Sequence, residues 1–286
     1  MREAGKSQKN LVKQVLIVML VVVALVWAAF PFYWALVTSI KPAGEVFEIP
    51  FLSIPFVQFI PTLQEWSEQL KIRETRQAML NSVIVSTCST ILALALGTPA
   101  GYALARFRYR WIKNKDIMVW FLSQRVLPPV VVLVPFYVIL TSIGLDDTLL
   151  ALILIYTTFI MPFAVIIMCQ IFKELPVELE EAALVDGYTR WGVFLKVAVP
   201  LAAPALASTA MICLAFSWNE FLFAMALGKV DAKTIPVIIA GAEHSRGVDF
   251  AVVGTRALMA MAVPVVLALL AQRFIVRGLT FGAVKG

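Results

Sequence analysis

Arg125, Glu220 and Arg256 are the only charged residues inside the chain's long apolar runs. A charge at the middle of a membrane costs about 2.5–3.5 kcal/mol on insertion scales, so each must face protein or water. Three uses follow: an ion pair, a polar pathway, or a contact to a polar ligand. Arg125 stands beside Pro128-Pro129, where a broken helix could line a cavity or could simply kink with its guanidinium on a carbonyl. Trp218-Asn219-Glu220-Phe221 combines a stacking face with hydrogen-bonding groups, which suits a polyhydroxylated ligand and equally an interfacial anchor. At 1.5 Å per residue Arg125 lies roughly 13 Å from one face, whereas Glu220 lies roughly 24 Å up and shares the far half with Arg256. A Glu220–Arg256 contact is therefore expected; the alternative has Arg256 reaching outward and Glu220 meeting water. Covalent or metal chemistry finds no such support. His244 is the single histidine and sits in a polar loop, and Cys88, Cys169 and Cys213 fall inside apolar runs without ligand spacing.

These residues are positioned by a chain that is 61% hydrophobic and 15% charged over 286 residues, with a mean hydropathy of +0.89. Such a composition belongs to an all-α polytopic membrane protein rather than to a soluble domain. Six spans are predicted over 14–40, 78–105, 117–140, 148–172, 201–228 and 250–273. A polar arm (1–13) precedes a transmembrane domain (14–276), and a short tail (277–286) follows. A cleaved leader is disfavoured, because the first apolar run continues past Ala28-Ala29 to Ile40. Between the first two spans, Thr62-x-x-Glu65 resembles a capping box, with Leu63, Trp66 and Leu70 at helical spacing for a helix lying on the membrane surface.

The net charge of +6 comes from cations that flank the spans, with no patch that would read nucleic acid. Arg106-Phe107-Arg108-Tyr109-Arg110-Trp111 reads as a cytoplasmic anchor with interfacial aromatics. One alternate set of loops and both termini carry 15 Lys and Arg, against 7 on the opposite set. The richer side is cytoplasmic by the positive-inside rule, which places both termini and the loop 173–200 there.

That loop is the most structured polar stretch of the chain. Pro176 opens a helix over Val177–Asp186, with Glu178, Glu180 and Glu181 toward its positive end. Gly187 stands where a left-handed residue can end it, and Tyr188–Val199 forms a second helix. Glu181-Ala182-Ala183, three residues, Gly187, nine residues and Val197-Ala198-Val199-Pro200 resembles the EAA signature of ABC-importer permeases, with Val197 and Val199 in place of Ile and Leu. Asn81-Ser82, Tyr102-Ala103-Leu104-Ala105-Arg106, the Trp218–Phe221 tetrad and the tail through Gly278-Leu279-Thr280 and Gly282–Gly286 are similar to the smaller permease of the carbohydrate-uptake (maltose-type) heterodimers.

The resemblance implies a type I ABC importer permease in a bacterial inner membrane, paired with a second, different permease. It implies two ABC ATPases that receive Glu181, Ala182, Ala183, Asp186 and Gly187, and a periplasmic solute-binding protein on the outer loops. Arg125, Trp218, Asn219 and Glu220 are the candidate pathway residues, and Gly282, Val284, Lys285 and Gly286 the candidate tail contacts with the ATPases. No Gly-x-x-x-x-Gly-Lys-Ser/Thr occurs, so no cofactor is expected on this chain, with ATP and Mg on the partner ATPase. An ion-coupled secondary transporter of six spans is the rival reading, weakened because Glu220 alone could serve a proton relay.

Overall fold

The computed structural model describes residues 2–42, 53–241, 243–244 and 247–280, with side chains over 13–42, 53–241 and 249–269. The helices are α1 (Arg2–Ser39), α2 (Gln64–Lys71), α3 (Arg73–Arg106), α4 (Asn114–Val126), α5 (Pro129–Ser142), α6 (Leu149–Glu174) and α7 (Val177–Val185). They continue with α8 (Arg190–Val193), a π-helical turn (Phe194–Ala198), α9 (Val199–Leu201), α10 (Ala203–Trp218), α11 (Leu222–Leu227), α12 (Ile235–Ala240) and α13 (Phe250–Thr280). A two-residue strand pair, Glu243–His244 with Gly247–Val248, puts the histidine in a hairpin.

Among the described residues four helices are long and apolar enough to cross a membrane: Lys13–Ser39, Arg73–Arg106, Leu149–Glu174 and Phe250–Leu269. Two bent pairs, Asn114–Val126 with Pro129–Ser142 at 91° and Arg190–Leu201 with Ala203–Trp218 at 78°, bring the number to six when each is one span. The first bend falls at Pro128-Pro129, as backbone chemistry requires: a proline removes a donor and restricts the residue before it. The polar arm is helical from Arg2 and runs into the first span without a break.

The described residues divide into two compact units, one from 1–72 with 242–259 and the other from 73–241 with 260–286. In the smaller unit Arg256 Nε donates to Gln69 Oε1 at 2.8 Å, and Gln69 Nε2 donates to Glu65 Oε1 at 2.7 Å. A neutral amide thus accepts one bond from the Arg256 guanidinium within the smaller unit. Thr62 does not form the capping box, since its Oγ1 accepts from Gln64 N and the N-cap position is Leu63. Helix α2 turns Glu65 and Gln69 inward and leaves Leu63 and Leu70 exposed, the apolar edge of a surface-lying helix.

The larger unit is built on α3 against α6. Gly97 and Gly101 let the two backbones meet: a Cβ on Gly97 would fall 2.6 Å from Ala164 Cβ, and one on Gly101 only 2.8 Å from Cys169 N. Small residues four apart make this close approach possible, and dispersion between packed helices then holds the pair where no hydrophobic drive exists. Polar contacts add to it, with Ser89 and Ser217 hydroxyls 2.7 Å apart, joining α3 to α10 inside the unit.

On the side assigned outward, Asp147 clasps two loops. Its φ of +53° is a left-handed conformation that Asp tolerates better than most residues. Its carboxylate accepts from the backbone N–H of Lys229, Val230, Asp231 and Ala232 at 2.8–3.2 Å, and its own N–H donates to Leu227 O. Burial alone would raise this carboxyl's pKa, but the four amide donors outweigh burial and hold it below its ordinary value. The folded carboxyl thus titrates below the unfolded one. The clasp adds stability above the ordinary Asp pKa of about 3.9 and loses it as pH falls through the lower folded value. Asp147→Asn is expected to lower the unfolding midpoint of the purified protein at neutral pH, with the gap to wild type closing in acid. A gap that stays constant through the acid range would mean that the carboxylate charge contributes nothing.

Candidate coupling site

The loop 173–200 takes the shape its residues dictate. Pro176 supplies an extended N-cap for α7, and Glu178 and Glu180 stand in the first turn where the helix dipole favours them. At the other end Gly187 has φ +88°, its N–H donates to Leu184 O at 3.1 Å, and Tyr188 N donates to Ala183 O at 3.1 Å. That pair of bonds is a Schellman closure, and glycine is there for its left-handed backbone. No atom stands within 4 Å of where a Cβ would be. The second helix begins at Arg190 rather than Tyr188, because Thr189 Oγ1 caps it by accepting from Gly192 N at 3.1 Å. It then widens to a π turn just before Pro200, which donates no N–H of its own.

Helix α7 is bolted from beneath by a residue the charge reading of the loop passes over. Glu180 Oε1 accepts from Arg106 Nε at 2.8 Å and lies 2.8 Å from the second guanidinium nitrogen, while Glu180 Oε2 accepts from Tyr102 OH at 2.7 Å. Arg106 also donates to Leu175 O at 3.0 Å, at the end of α6. The two charged side chains are 11% and 7% exposed, so this is a buried, fully hydrogen-bonded pair. Tyr102 stacks edge-on to Phe172 and tilts against Phe194, joining α3, α6 and the π turn in one apolar cluster with Met168, Ala198 and Ala202. Tyr102 and Arg106 are four residues apart on α3, so the spacing alone puts them on one face. That spacing, together with the acids of the 173–200 loop, is the signal that could have found the pair.

The opposite face of α7 is open. Glu181, Ala182, Asp186 and Gly187 are exposed and Ala183 is buried. Glu181 enters none of the ion pairs among the described residues. Around it Val185 is 88% exposed and Trp191 60%, apolar area that sequence reasoning centred on Glu181 did not weigh. An exposed carboxylate on a segment that also exposes apolar side chains can seat in a groove and pair with a cation there.

The pathway candidates are scattered. Arg125 donates to Phe159 O at 3.0 Å, and its guanidinium lies 4.0 Å from the Phe163 ring centroid and 5.3 Å from that of Phe216. This is the carbonyl-bound arrangement, strengthened by cation–π contacts to two stacked rings. Trp218 is 4% exposed among Ala78, Ile235 and Ile238, so its ring is committed to core packing and presents no face to a ligand. Asn219 is exposed and donates to Ala215 O at 2.8 Å, closing α10. The Glu220 carboxylate accepts from Phe223 N at 3.2 Å and Ala224 N at 3.4 Å, so it caps the start of α11. Tail residues Gly282, Val284, Lys285 and Gly286 lie outside the described residues.

Comparison with known proteins places this geometry. The family described as binding-protein-dependent transport system inner membrane component matches residues 97–281. A trehalose transport system permease protein of Mycobacterium tuberculosis is 33% identical over 267 residues, covering 91% of this chain and 93% of that protein. A sulfoquinovosyl glycerol transport system permease protein of Agrobacterium fabrum is 31% identical, covering 92% and 91%. Among solved structures, a chain of a bacterial ABC transporter involved in import of the acidic polysaccharide alginate superposes with a TM-score of 0.75 at 20% identity, covering 92% of this chain and 96% of that one.

Removing one partner of a buried ion pair leaves the other charged and unpaired, at a cost of about 3–5 kcal/mol, whereas apolar replacement of both costs far less. Arg106→Ala is thus expected to lower the unfolding midpoint strongly. Arg106→Met combined with Glu180→Leu should recover most of that loss. Equal losses in the single and double variants would show that the two residues do not act as a pair.

Proposed function

This chain belongs to the binding-protein-dependent transport system inner membrane components, and on that premise we propose that it is a permease subunit of an ATP-driven importer for a sugar, polyol or glycoside. It is a multi-pass membrane protein and a transport subunit. A trehalose permease and a sulfoquinovosyl glycerol permease at about a third identity support the solute class. The ion-coupled carrier finds no support: the relatives are importer permeases, and the acid that would have served a relay, Glu220, is held by backbone N–H groups.

The single observation that carries the proposal is the two-sided helix α7, latched on one face through Glu180 and open on the other at Glu181 and Val185. In this reading α7 docks on a cytoplasmic ATPase, which binds the ATP and Mg, and Glu181 pairs with a cation there. Closure of two such ATPases pushes α7, and the buried pair passes the push to α3 and α6. The pathway then turns from inward- to outward-facing while a periplasmic binding protein delivers the solute. A second, homologous permease completes the path, the bilayer is the bacterial inner membrane, and both termini are cytoplasmic, as the distribution of Lys and Arg supports. Of the pathway candidates, Asn219 at the break between α10 and α11 is the exposed one. Gly282–Gly286 is proposed to reach the ATPases from the tail.

Glu181→Lys reverses one charge on the open face without touching the latch. It is expected to cut recovery of the ATPase with affinity-tagged permease, and uptake of labelled solute, by tenfold or more, about 1.4 kcal/mol. Membrane insertion should be unchanged. Full uptake and full ATPase recovery in this variant would place the coupling elsewhere.

A further inference from the structure

Beside the latch, on the other side of the α3 terminus, lies an open cleft of about 570 Å³. It is lined by Arg106, Arg108, Lys113 and Lys173, with Leu104 and Val177 on its apolar wall, and no acid lines it. Arg106 is already committed to Glu180. Arg108, Lys113 and Lys173 are exposed and enter none of the ion pairs among the described residues. Three cations facing one cleft repel each other, so the arrangement is stabilised by an anion placed among them.

The cleft is held open by specific bonds. Asn114 Nδ2 donates to Leu104 O at 2.8 Å and to Phe107 O at 2.6 Å, which fixes the loop carrying Arg108 to the start of α4. Lys173 comes from the last turn of α6. Both α3 and α6 are spans, and both end here, at the depth where headgroups lie. Trp111, 93% exposed, and Ile112, 56% exposed, extend from the same loop as interfacial anchors. Basic pockets between spans at the cytoplasmic face suit anionic headgroups.

We infer that this cleft binds the phosphodiester headgroup of an anionic phospholipid, with Arg108, Lys113 and Lys173 as its ligands and Leu104 and Val177 meeting the start of the acyl chains. Because Val177 is the first residue of α7, the bound lipid packs against the root of the coupling helix. The inference holds whichever solute is carried.

The test is lipid binding to the detergent-solubilised transporter complex by native mass spectrometry, titrating short-chain phosphatidylglycerol, phosphatidylcholine or inorganic phosphate. Wild type should prefer phosphatidylglycerol to phosphatidylcholine. Each cation removed should weaken binding about fivefold, so Arg108→Ala/Lys113→Ala/Lys173→Ala should weaken it on the order of a hundredfold. Arg108→Lys/Lys113→Arg/Lys173→Arg, which keeps the charge, should retain binding. Equal affinity for the two lipids in wild type would overturn the assignment, as would undiminished phosphatidylglycerol binding in the triple alanine variant. Displacement of phosphatidylglycerol by an equal concentration of inorganic phosphate would make this a free-anion site instead. If the alanine variant loses the ATPase while keeping its lipid, the cations serve protein docking.

Discussion

Burying Glu180 against Arg106 and Tyr102 is the constraint on which the junction of α3, α6 and α7 rests. A carboxylate and a guanidinium taken from water repay their desolvation only when geometry is good and remaining donors are satisfied. Here both oxygens of Glu180 are used, and Arg106 sends a further bond to the Leu175 carbonyl. The arrangement joins three elements at one point: the end of α3, the end of α6 and the first turn of α7. With Tyr102 set between Phe172 and Phe194, the π turn joins the same body. A displacement of α7 therefore has a stiff route into α3 and α6, since a close-packed, hydrogen-bonded junction shifts as a unit rather than deforming.

The rest of the larger unit is arranged to keep that route short. Gly97 and Gly101 bring α3 and α6 into backbone contact, so the two spans that receive the latch act together. Two breaks lie away from that junction, at Pro128-Pro129 and around Asn219–Phe221, whereas the 78° bend at Ala202 adjoins the Tyr102 cluster. At the Asn219–Phe221 break the Glu220 carboxylate satisfies the first backbone donors of α11, as an interrupted span requires.

Hydropathy and punctuation carried much of this in advance. The six apolar runs, the proline bend and the left-handed Gly187 are local properties, and each follows from the residues in its own window. Partnerships were harder to foresee. Glu180 and Arg106 are 74 residues apart, and nothing in either window says that the neighbour of Glu181 turns inward. Trp218 had the composition of a ligand-stacking residue, yet packing against Ala78, Ile235 and Ile238 covers its ring. Depth along a span says nothing of the bond from Arg256 to the amide of Gln69. The Tyr102–Arg106 spacing is visible in the sequence, but beside a cluster of cations it reads as an anchor.

The central claim is that α7 and the end of α3 move as one body. Spin labels at Val185 and Arg110, both exposed and on the two sides of the junction, with Cys88 replaced by serine, allow the distance between them to be read by pulsed electron resonance through the ATP cycle of the assembled transporter. The account predicts a distance distribution that does not shift with nucleotide in wild type and does shift once Glu180→Gln loosens the junction. A wild-type distance that changes with ATP as much as the variant's would contradict it.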